Sequence, residues 1–166
     1  MWPSIQDWVS ALYIIVPMYC TNGAPVIFGG GEPIDLGKTF SDGKRLFGSH
    51  KTIRGFFSGL LVGGLVAIAE SVLVAGSLLE IALLASAGAL LGDLVAAFAK
   101  RRLGINPGKP LPVVDQLDFV LGAIVAVSLI SVPTLGTLMI LLCVTPPIHL
   151  LTNIGAYKLG LKSTYW

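Results

Sequence analysis

The positive charges of this chain occur in three short stretches separated by long apolar segments. All eleven Lys and Arg side chains lie within residues 38–54, 100–109 and 158–162. Each long apolar segment is expected to cross a lipid bilayer, because a helix pairs its own backbone groups and so can span lipid. A mean hydropathy of +0.84, with only 12% charged residues, excludes an ordinary soluble domain. The sequence therefore predicts an all-α integral membrane protein.

The apolar segments predict five transmembrane helices in a single domain over residues 1–166. Residues 119–157 form a run of 39 residues without Asp, Glu, Lys or Arg. As one helix this run would be about 58 Å long, roughly twice the ~30 Å hydrocarbon core, so it has to fold back. Pro133 is the natural position for that turn. The expected spans are approximately 8–28, 56–75, 79–99, 118–132 and 134–155.

The basic stretches also predict the orientation in the membrane. With five spans, the N-terminus lies on the opposite side from all three stretches, and the positive-inside rule places it outside the cell. We expect residues 29–55 and 100–116 to form two functional cytoplasmic loops, with the C-terminus also cytoplasmic. The other connections, near Gly76 and Pro133, are short and carry no positive charge. The sequence thus predicts a multi-pass protein of the cell membrane whose active site faces the cytoplasm.

Three aspartates are predicted to meet at the cytoplasmic side. Asp93 precedes Lys100 by two helical turns and lies about 10 Å inside the helix end, where an ionised carboxylate is costly unless paired or metal-bound. Asp115 and Asp118 share a face at the start of the fourth span. Carboxylates that bind magnesium, among cations that bind phosphates, are typical of nucleotidyl transfer sites. The alternative is an intramembrane ion pair between Asp93 and Lys100 or Arg101, with loop cations that merely orient the protein.

Two pairs of glycines have the spacing of close helix contacts. They are Gly59-x-x-x-Gly63 and Gly88-x-x-x-Gly92. Small residues four apart let helix backbones approach each other in lipid. The contacts they predict are either within a monomer or across a homodimer.

Two blocks of motifs lie in and around the predicted loops. The first contains Asn22-x-x-Pro25, Pro33-x-Asp35-x-Gly37, Asp42-Gly43-x-Arg45, Gly48 and Lys51-Thr52-x-Arg54-Gly55. The second contains Gly92-Asp93-Leu94, Lys100-Arg101-Arg102-x-Gly104, Gly108, Pro112 and Asp115-Gln116-Leu117-Asp118-Phe119. In order and spacing both blocks resemble the CDP-archaeol synthase family, membrane cytidylyltransferases related to the phosphatidate cytidylyltransferases. The chain departs from the signature of those relatives at Ala97 and Gln116, where they carry serine and arginine.

The resemblance implies a reaction and a set of partners. CTP and digeranylgeranylglyceryl phosphate, an isoprenoid ether-lipid phosphate, would give CDP-archaeol and pyrophosphate, with Mg²⁺ as the cofactor. The expected partners are therefore CTP, a membrane lipid phosphate and the bilayer, with no nucleic acid.

The resemblance also assigns expected roles to individual residues. The metal, and through it the triphosphate, would be held by Asp93, Asp115 and Asp118. The charge on the leaving pyrophosphate would be stabilised by Lys100, Arg101 and Lys109. Lys51 and Arg54 would grip the lipid phosphate or close over CTP. Further substrate-binding residues would be Asn22, Asp35, Asp42 and Arg45.

Two other functions remain open from the sequence. A CDP-alcohol phosphotransferase would share the Asp42-Gly43-x-Arg45 pattern, but it needs further aspartates downstream, and none occurs between Asp42 and Glu70. A small transporter could use Asp93 and Glu70 as a relay, although the chain lacks the repeated halves that transporters usually have.

Overall fold

The computed structural model describes residues 2–74 and 78–164, and in this part of the chain five α-helices are found. They are α1 (Ile5–Phe28), α2 (Ile53–Val74), α3 (Leu79–Arg102), α4 (Val114–Val127) and α5 (Leu135–Lys158). Four of them, α1, α2, α3 and α5, are long and apolar enough to cross a membrane. The prediction of an all-α integral membrane protein is therefore confirmed. The expected connection near Gly76, and the end of the second span at residue 75, lie outside the described residues.

Helix α4 begins and ends earlier than the predicted span of residues 118–132. It has 14 residues and is about 21 Å long, which is shorter than the ~30 Å core. The helix begins directly after Val113, whose φ of 69° cannot continue a helix backwards. Asp115 in its first turn favours this start, because a carboxylate is stabilised at a helix N-terminus. After Val127 the chain continues as turns, with the Ile130 amide donating to the Val127 carbonyl at 3.1 Å.

The helices run alternately between two ends of the molecule. At one end, Asp7 near the start of α1 accepts a hydrogen bond from Thr134, the N-cap of α5. At the other end, Lys100 in the last turn of α3 bonds Asp115 in the first turn of α4. Helix α4 therefore returns the chain from the second end to the first despite its short length.

Glycines let α3 and α4 cross in direct backbone contact. A Cβ on Gly122 would lie 2.2 Å from the Gly88 carbonyl oxygen, and one on Gly92 would lie 2.3 Å from the Asp118 carbonyl oxygen. The pair Gly59 and Gly63 also packs within the chain, because a Cβ on Gly63 would meet Thr21 of α1 and Ser86 of α3. Both small-residue motifs thus serve contacts between helices of one chain.

The segment between α1 and α2 is folded back and fastened to α3. Its ends pair through the Ile34 amide and the Lys51 carbonyl at 2.7 Å. Arg102 of α3 stacks over the rings of Phe40 and Phe98, at 5.1 and 4.7 Å from their centroids. The same guanidinium donates to Asp42 at 2.9 Å. These contacts hold the first loop over the end of α3, where the predicted site residues lie.

Candidate active site

A cleft of about 880 Å³ opens at the helix ends that carry the basic residues. The ends of α1, α3 and α5, the starts of α2 and α4, and both loops contribute to its wall. It brings together eight of the predicted site residues: Asn22, Lys51, Asp93, Lys100, Arg101, Lys109, Asp115 and Asp118. The remaining four, Asp35, Asp42, Arg45 and Arg54, are not among its lining residues.

Asp93 and Asp118 lie together at the crossing of α3 and α4. Asp93 accepts hydrogen bonds on both carboxylate oxygens from the Lys51 ammonium, which the first loop supplies. The Asp118 backbone contacts Gly92, the residue before Asp93, so the two aspartates are neighbours at the helix crossing. Two neighbouring carboxylates attract a cation, and the Lys51 ammonium already supplies one positive charge to this pair.

Lys100 joins the end of α3 to the second loop and to α4. Its ammonium donates to both oxygens of Asp115, at 2.8 and 3.0 Å, and to the Lys109 carbonyl at 2.8 Å. Asp115 also accepts the Leu111 amide at 2.8 Å. The sequence placed Lys100 and Asp93 on one helix face, and both do line the cleft. Their ionic partners, however, come from other segments of the chain.

Arg101 connects the second motif block to the first loop. Its side chain is buried, and its guanidinium approaches the Phe47 carbonyl at 3.5 Å. A Cβ on Gly48 would come within 2.7 Å of the same guanidinium, so only a residue without a side chain fits beside Arg101 at this position. Its Nε is buried without a hydrogen-bond partner. Arg101 is therefore partly desolvated at the cleft wall, where a bound anion would interact with it strongly.

The described residues contain no group of three His, Cys, Asp or Glu side chains close enough to enclose a metal ion as they stand. The donors that line the cleft are nevertheless the carboxylate oxygens that Mg²⁺ prefers. A divalent cation bound beside Asp93 and Asp118 would offset the repulsion expected between two neighbouring carboxylates. These oxygens are of the chemical type that Mg²⁺ prefers, and in this structure Lys51 makes the ionic contact to Asp93.

Asp35 organises the first loop and does not line the cleft. It is almost fully buried, and its carboxylate accepts hydrogen bonds from the Arg45 guanidinium and from the amides of Gly37, Phe47 and Gly48. Burial opposes ionisation, but these donors prevail and hold the pKa of Asp35 well below its usual range. The arrangement of Asp35 and Arg45 supports the shape of the loop.

We expect Asp35→Asn to loosen the first loop. The amide nitrogen would face N–H donors where an oxygen is needed, and losing charge-assisted bonds at a buried site costs about 2–5 kcal/mol. Limited proteolysis should then cut between residues 30 and 50 much faster than in the wild type. Glu32→Gln, an exposed change in the same loop, is the matched control and should leave cleavage unchanged. Equal protease resistance of Asp35→Asn and wild type would contradict the structural role.

The pKa of Asp35 also predicts how the loop responds to acid. Because the folded-state pKa is lower than the unfolded value of about 4, the ionised carboxylate stabilises the loop above that value. This stabilisation is lost as the pH falls toward the folded pKa. Protease resistance should therefore be independent of pH above about 5 and decline in stronger acid.

The cleft also contains residues that belong to neither of the two motif blocks. His50 lies beside Gly108, and His149, Asn153 and Lys162 come from α5 and the segment that follows it. The sequence offered two signals: His50 lies in the polar first loop, and Lys162 belongs to the third basic stretch. Motif spacing could not show that the end of the chain folds back to the carboxylates, because this depends on the direction in which α5 leaves the bundle.

Comparisons with known proteins agree with this geometry. A family model described as CarS-like, CDP-archaeol synthase, matches residues 5–166. The CDP-archaeol synthase of Methanocaldococcus jannaschii is 45% identical over 171 residues, covering 95% of this chain and 96% of the relative. That of Pyrococcus furiosus is 43% identical over 164 residues, covering 95% and 98%. A solved structure of an intramembrane enzyme for archaeal membrane lipids biosynthesis is similar with a TM-score of 0.79 and 36% identity, over 87% of this chain and 92% of that one.

Proposed function

Because the chain belongs to the CDP-archaeol synthase family, we propose that its cleft transfers CMP from CTP to an isoprenoid ether-lipid phosphate, giving CDP-archaeol and pyrophosphate. Family membership confirms the resemblance drawn from the two motif blocks. It also favours a cytidylyltransferase of lipid synthesis over the phosphotransferase and the transporter that the sequence left open. The lipid substrate would be digeranylgeranylglyceryl phosphate, as the family resemblance implies.

The main support for this proposal is that carboxylates, cations and apolar side chains line one cleft. Lys51, Lys100 and Arg101 lie among the three aspartates. Val26 and Leu94 also line the cleft, and their apolar side chains can contact lipid tails. Two highly anionic reactants need charge neutralisation and alignment more than any other assistance.

The reaction itself is a single displacement. An oxygen of the lipid phosphate attacks the α-phosphorus of CTP, a new P–O bond forms, and the bond to the β-phosphate breaks to release pyrophosphate. No covalent bond to the protein is required. Lys100, Arg101 and Lys109 would stabilise the charge on the leaving pyrophosphate, because charge-assisted contacts strengthen as charge develops there.

Magnesium would be held by Asp93, Asp118 and Asp115, and when bound it neutralises phosphate charge. The contact of Lys51 with Asp93 supports a role for Lys51 at the reacting phosphates. Arg54 is exposed at the start of α2, where it would meet the headgroup of an arriving lipid phosphate.

Five membrane crossings, with the N-terminus outside and the cleft in the cytoplasm, suit this reaction, because CTP is a cytoplasmic substrate. Four helices are long enough to span the bilayer. Helix α4 with the turns that follow it would complete the fifth crossing, packed against α3 inside the bundle. A short helix is tolerated there because neighbouring helices cover it.

Cysteine labelling tests the orientation. In a background in which Cys20 and Cys143 are replaced by Ala, we expect Ser131→Cys to react with an impermeant thiol reagent applied to intact cells. Ser41→Cys should react only after the membrane is permeabilised. Both positions are exposed, so a difference reports the side of the membrane. Labelling of position 41 alone in intact cells would reverse the orientation.

The activity is tested directly on the detergent-purified protein. Labelled CTP, Mg²⁺ and a panel of lipid phosphates, with ether or ester linkages and isoprenoid or acyl tails, should yield a labelled CDP-lipid and one pyrophosphate per turnover. Release of CMP from a supplied CDP-lipid and an alcohol would identify a phosphotransferase instead. The absence of any CTP-dependent product across the panel would refute the proposed function.

Lys100 and Arg54 should affect different substrates. Lys100→Ala removes charge-assisted contacts worth about 1.5–3 kcal/mol, so we expect CTP affinity or kcat to fall by roughly ten- to hundredfold. Arg54→Ala should mainly raise the KM for the lipid phosphate. Calorimetric titration of CTP with Mg²⁺, without lipid, separates the two effects. If Arg54→Ala weakens CTP binding as much as Lys100→Ala, the first loop closes over the nucleotide and the division is wrong.

A further inference from the structure

One wall of the cleft comes from the segment that follows α5, residues 159–164. Lys162, Ser163 and Thr164 all line the cleft. The other lysine of this basic stretch, Lys158, is exposed and is not among the lining residues. These two lysines, four residues apart, are therefore in different environments, and of the two only Lys162 lines the cleft.

Two polar residues of α5 hold Lys162 in position. Its ammonium donates to the Asn153 side-chain oxygen at 2.8 Å, and Asn153 is buried. Because that oxygen accepts, the Asn153 amide nitrogen is the donor toward Nδ1 of His149, 3.0 Å away. The His149 ring packs against Phe119 at 5.8 Å between centroids, and Phe119 directly follows Asp118. The chain of contacts thus runs from Lys162 to the carboxylates of α4.

The surroundings of Lys162 are those of an anion-binding group. Burial lowers the pKa of Lys162, the carboxylate of Asp115 opposes this shift, and the ammonium of Lys51 adds to it. Lys162 and Lys51 line the same cleft, although they come from opposite parts of the sequence. The Asn153 side-chain oxygen accepts one of the three ammonium protons, so this contact orients the Lys162 side chain. A phosphate group bound in the cleft would relieve the repulsion between the two lysines.

We propose that Lys162 is a further substrate-binding residue, which contacts a phosphate group in the cleft and is positioned there by Asn153 and His149. The inference rests on the proposed function of the cleft and adds a third chain segment to the two motif blocks. The phosphate belongs either to CTP or to the lipid phosphate, since both are anionic groups that a lysine ammonium binds in the same way.

Charge and hydrogen bonding at residue 162 can be changed separately. Lys162→Gln keeps an N–H donor for Asn153 and removes the charge, whereas Lys162→Arg keeps the charge. Lys162→Met, which keeps only the aliphatic stem, is the second neutral variant. Lys158→Gln removes one charge from the same basic stretch outside the cleft and is the matched control. Size-exclusion elution and thermal unfolding confirm that each variant is folded before kinetics are measured.

We expect Lys162→Gln and Lys162→Met to raise the KM for one substrate by about tenfold or more, as loss of a charge-assisted phosphate contact predicts. Lys162→Arg should restore most of the affinity, and Lys158→Gln should behave as wild type. Calorimetric titration with CTP and Mg²⁺ in the absence of lipid identifies the source. Weakened CTP binding assigns the contact to the nucleotide, and unchanged CTP binding with a raised lipid KM assigns it to the lipid phosphate.

The proposal is overturned if both neutral variants keep wild-type KM values for both substrates, or if Lys158→Gln is equally impaired. If only the neutral variants that fail to fold lose activity, and the folded one is fully active, Lys162 has a structural role and the proposal is also wrong. These outcomes are distinct from failure of the proposed function, in which the wild-type protein itself forms no CDP-lipid.

Discussion

Asp118→Asn, Asp93→Asn and Asp115→Asn should each abolish CMP transfer while leaving the protein folded in the membrane. Asparagine is nearly isosteric with aspartate, but it cannot supply a charged oxygen to Mg²⁺. We expect kcat to fall by at least about a thousandfold, the effect of losing about 4 kcal/mol of transition-state stabilisation. Calorimetry with Mg²⁺ and CTP should show weakened metal-dependent binding in the same variants.

The three substitutions should differ in their side effects. Asp93→Asn also leaves Lys51 without its ionic partner, and Asp115→Asn weakens the contacts to Lys100 and to the Leu111 amide. Asp118 accepts a hydrogen bond only from the neighbouring Phe119 amide among the contacts described for it, so Asp118→Asn is the cleanest test of metal binding. Its thermal stability should remain close to that of the wild type.

Glu80→Gln is the matched control for these changes. Glu80 is an exposed carboxylate in the first turn of α3, at the end of the molecule away from the cleft. The Glu80→Gln variant should keep wild-type activity. A folded Asp118→Asn protein with near wild-type turnover would remove Asp118 from the metal site and with it most of the argument for magnesium.

Gly92→Ala and Gly122→Ala should both destabilise the protein and disable the site. An added Cβ at either position would meet backbone atoms at 2.2–2.3 Å, and backbone cannot rotate away as a side chain can. Helices α3 and α4 would have to separate, at a cost of about 1–3 kcal/mol or more for overpacking. Because Asp93 and Asp118 lie on these two helices, their spacing would change with the helix separation.

Gly64→Ala is the matched control, because it is also a glycine-to-alanine change inside a long apolar helix. Gly64 of α2 has no atom within 4 Å of an added Cβ, so alanine should be tolerated and should stabilise the helix by about 0.5–1 kcal/mol. The thermal unfolding temperature in detergent should thus rise slightly for Gly64→Ala and fall for Gly92→Ala, while turnover should stay at the wild-type level in Gly64→Ala and fall in Gly92→Ala. If Gly92→Ala unfolds at the wild-type temperature and remains active, the close crossing of α3 and α4 is not required.

Sequence patterns identified most of the candidate site because they depend on neighbouring residues along the chain. Asp93 and Lys100, or Asp115 and Asp118, share a helix face by helical periodicity alone. The ion pairs could not be predicted in this way. Lys51 and Asp93 are 42 residues apart, and their contact depends on how the first loop folds over α3. Asp35 was expected near the nucleotide because its motif lies in that loop. Its carboxylate is instead buried inside the loop, where it accepts a hydrogen bond from the Gly48 amide.

The sequence by itself determined that the chain is a helical membrane protein and indicated the carboxylates and cations that we propose for the chemistry, since hydropathy, charge distribution and motif spacing are local properties. The tertiary structure alone decided the length of α4, the partner of each lysine and the entry of Lys162 into the cleft. These features follow from the angles and distances at which helices cross. In this bundle the backbone contacts of Gly88, Gly92 and Gly122 set the distance between α3 and α4. A local sequence pattern does not specify which side chains such a crossing places next to each other.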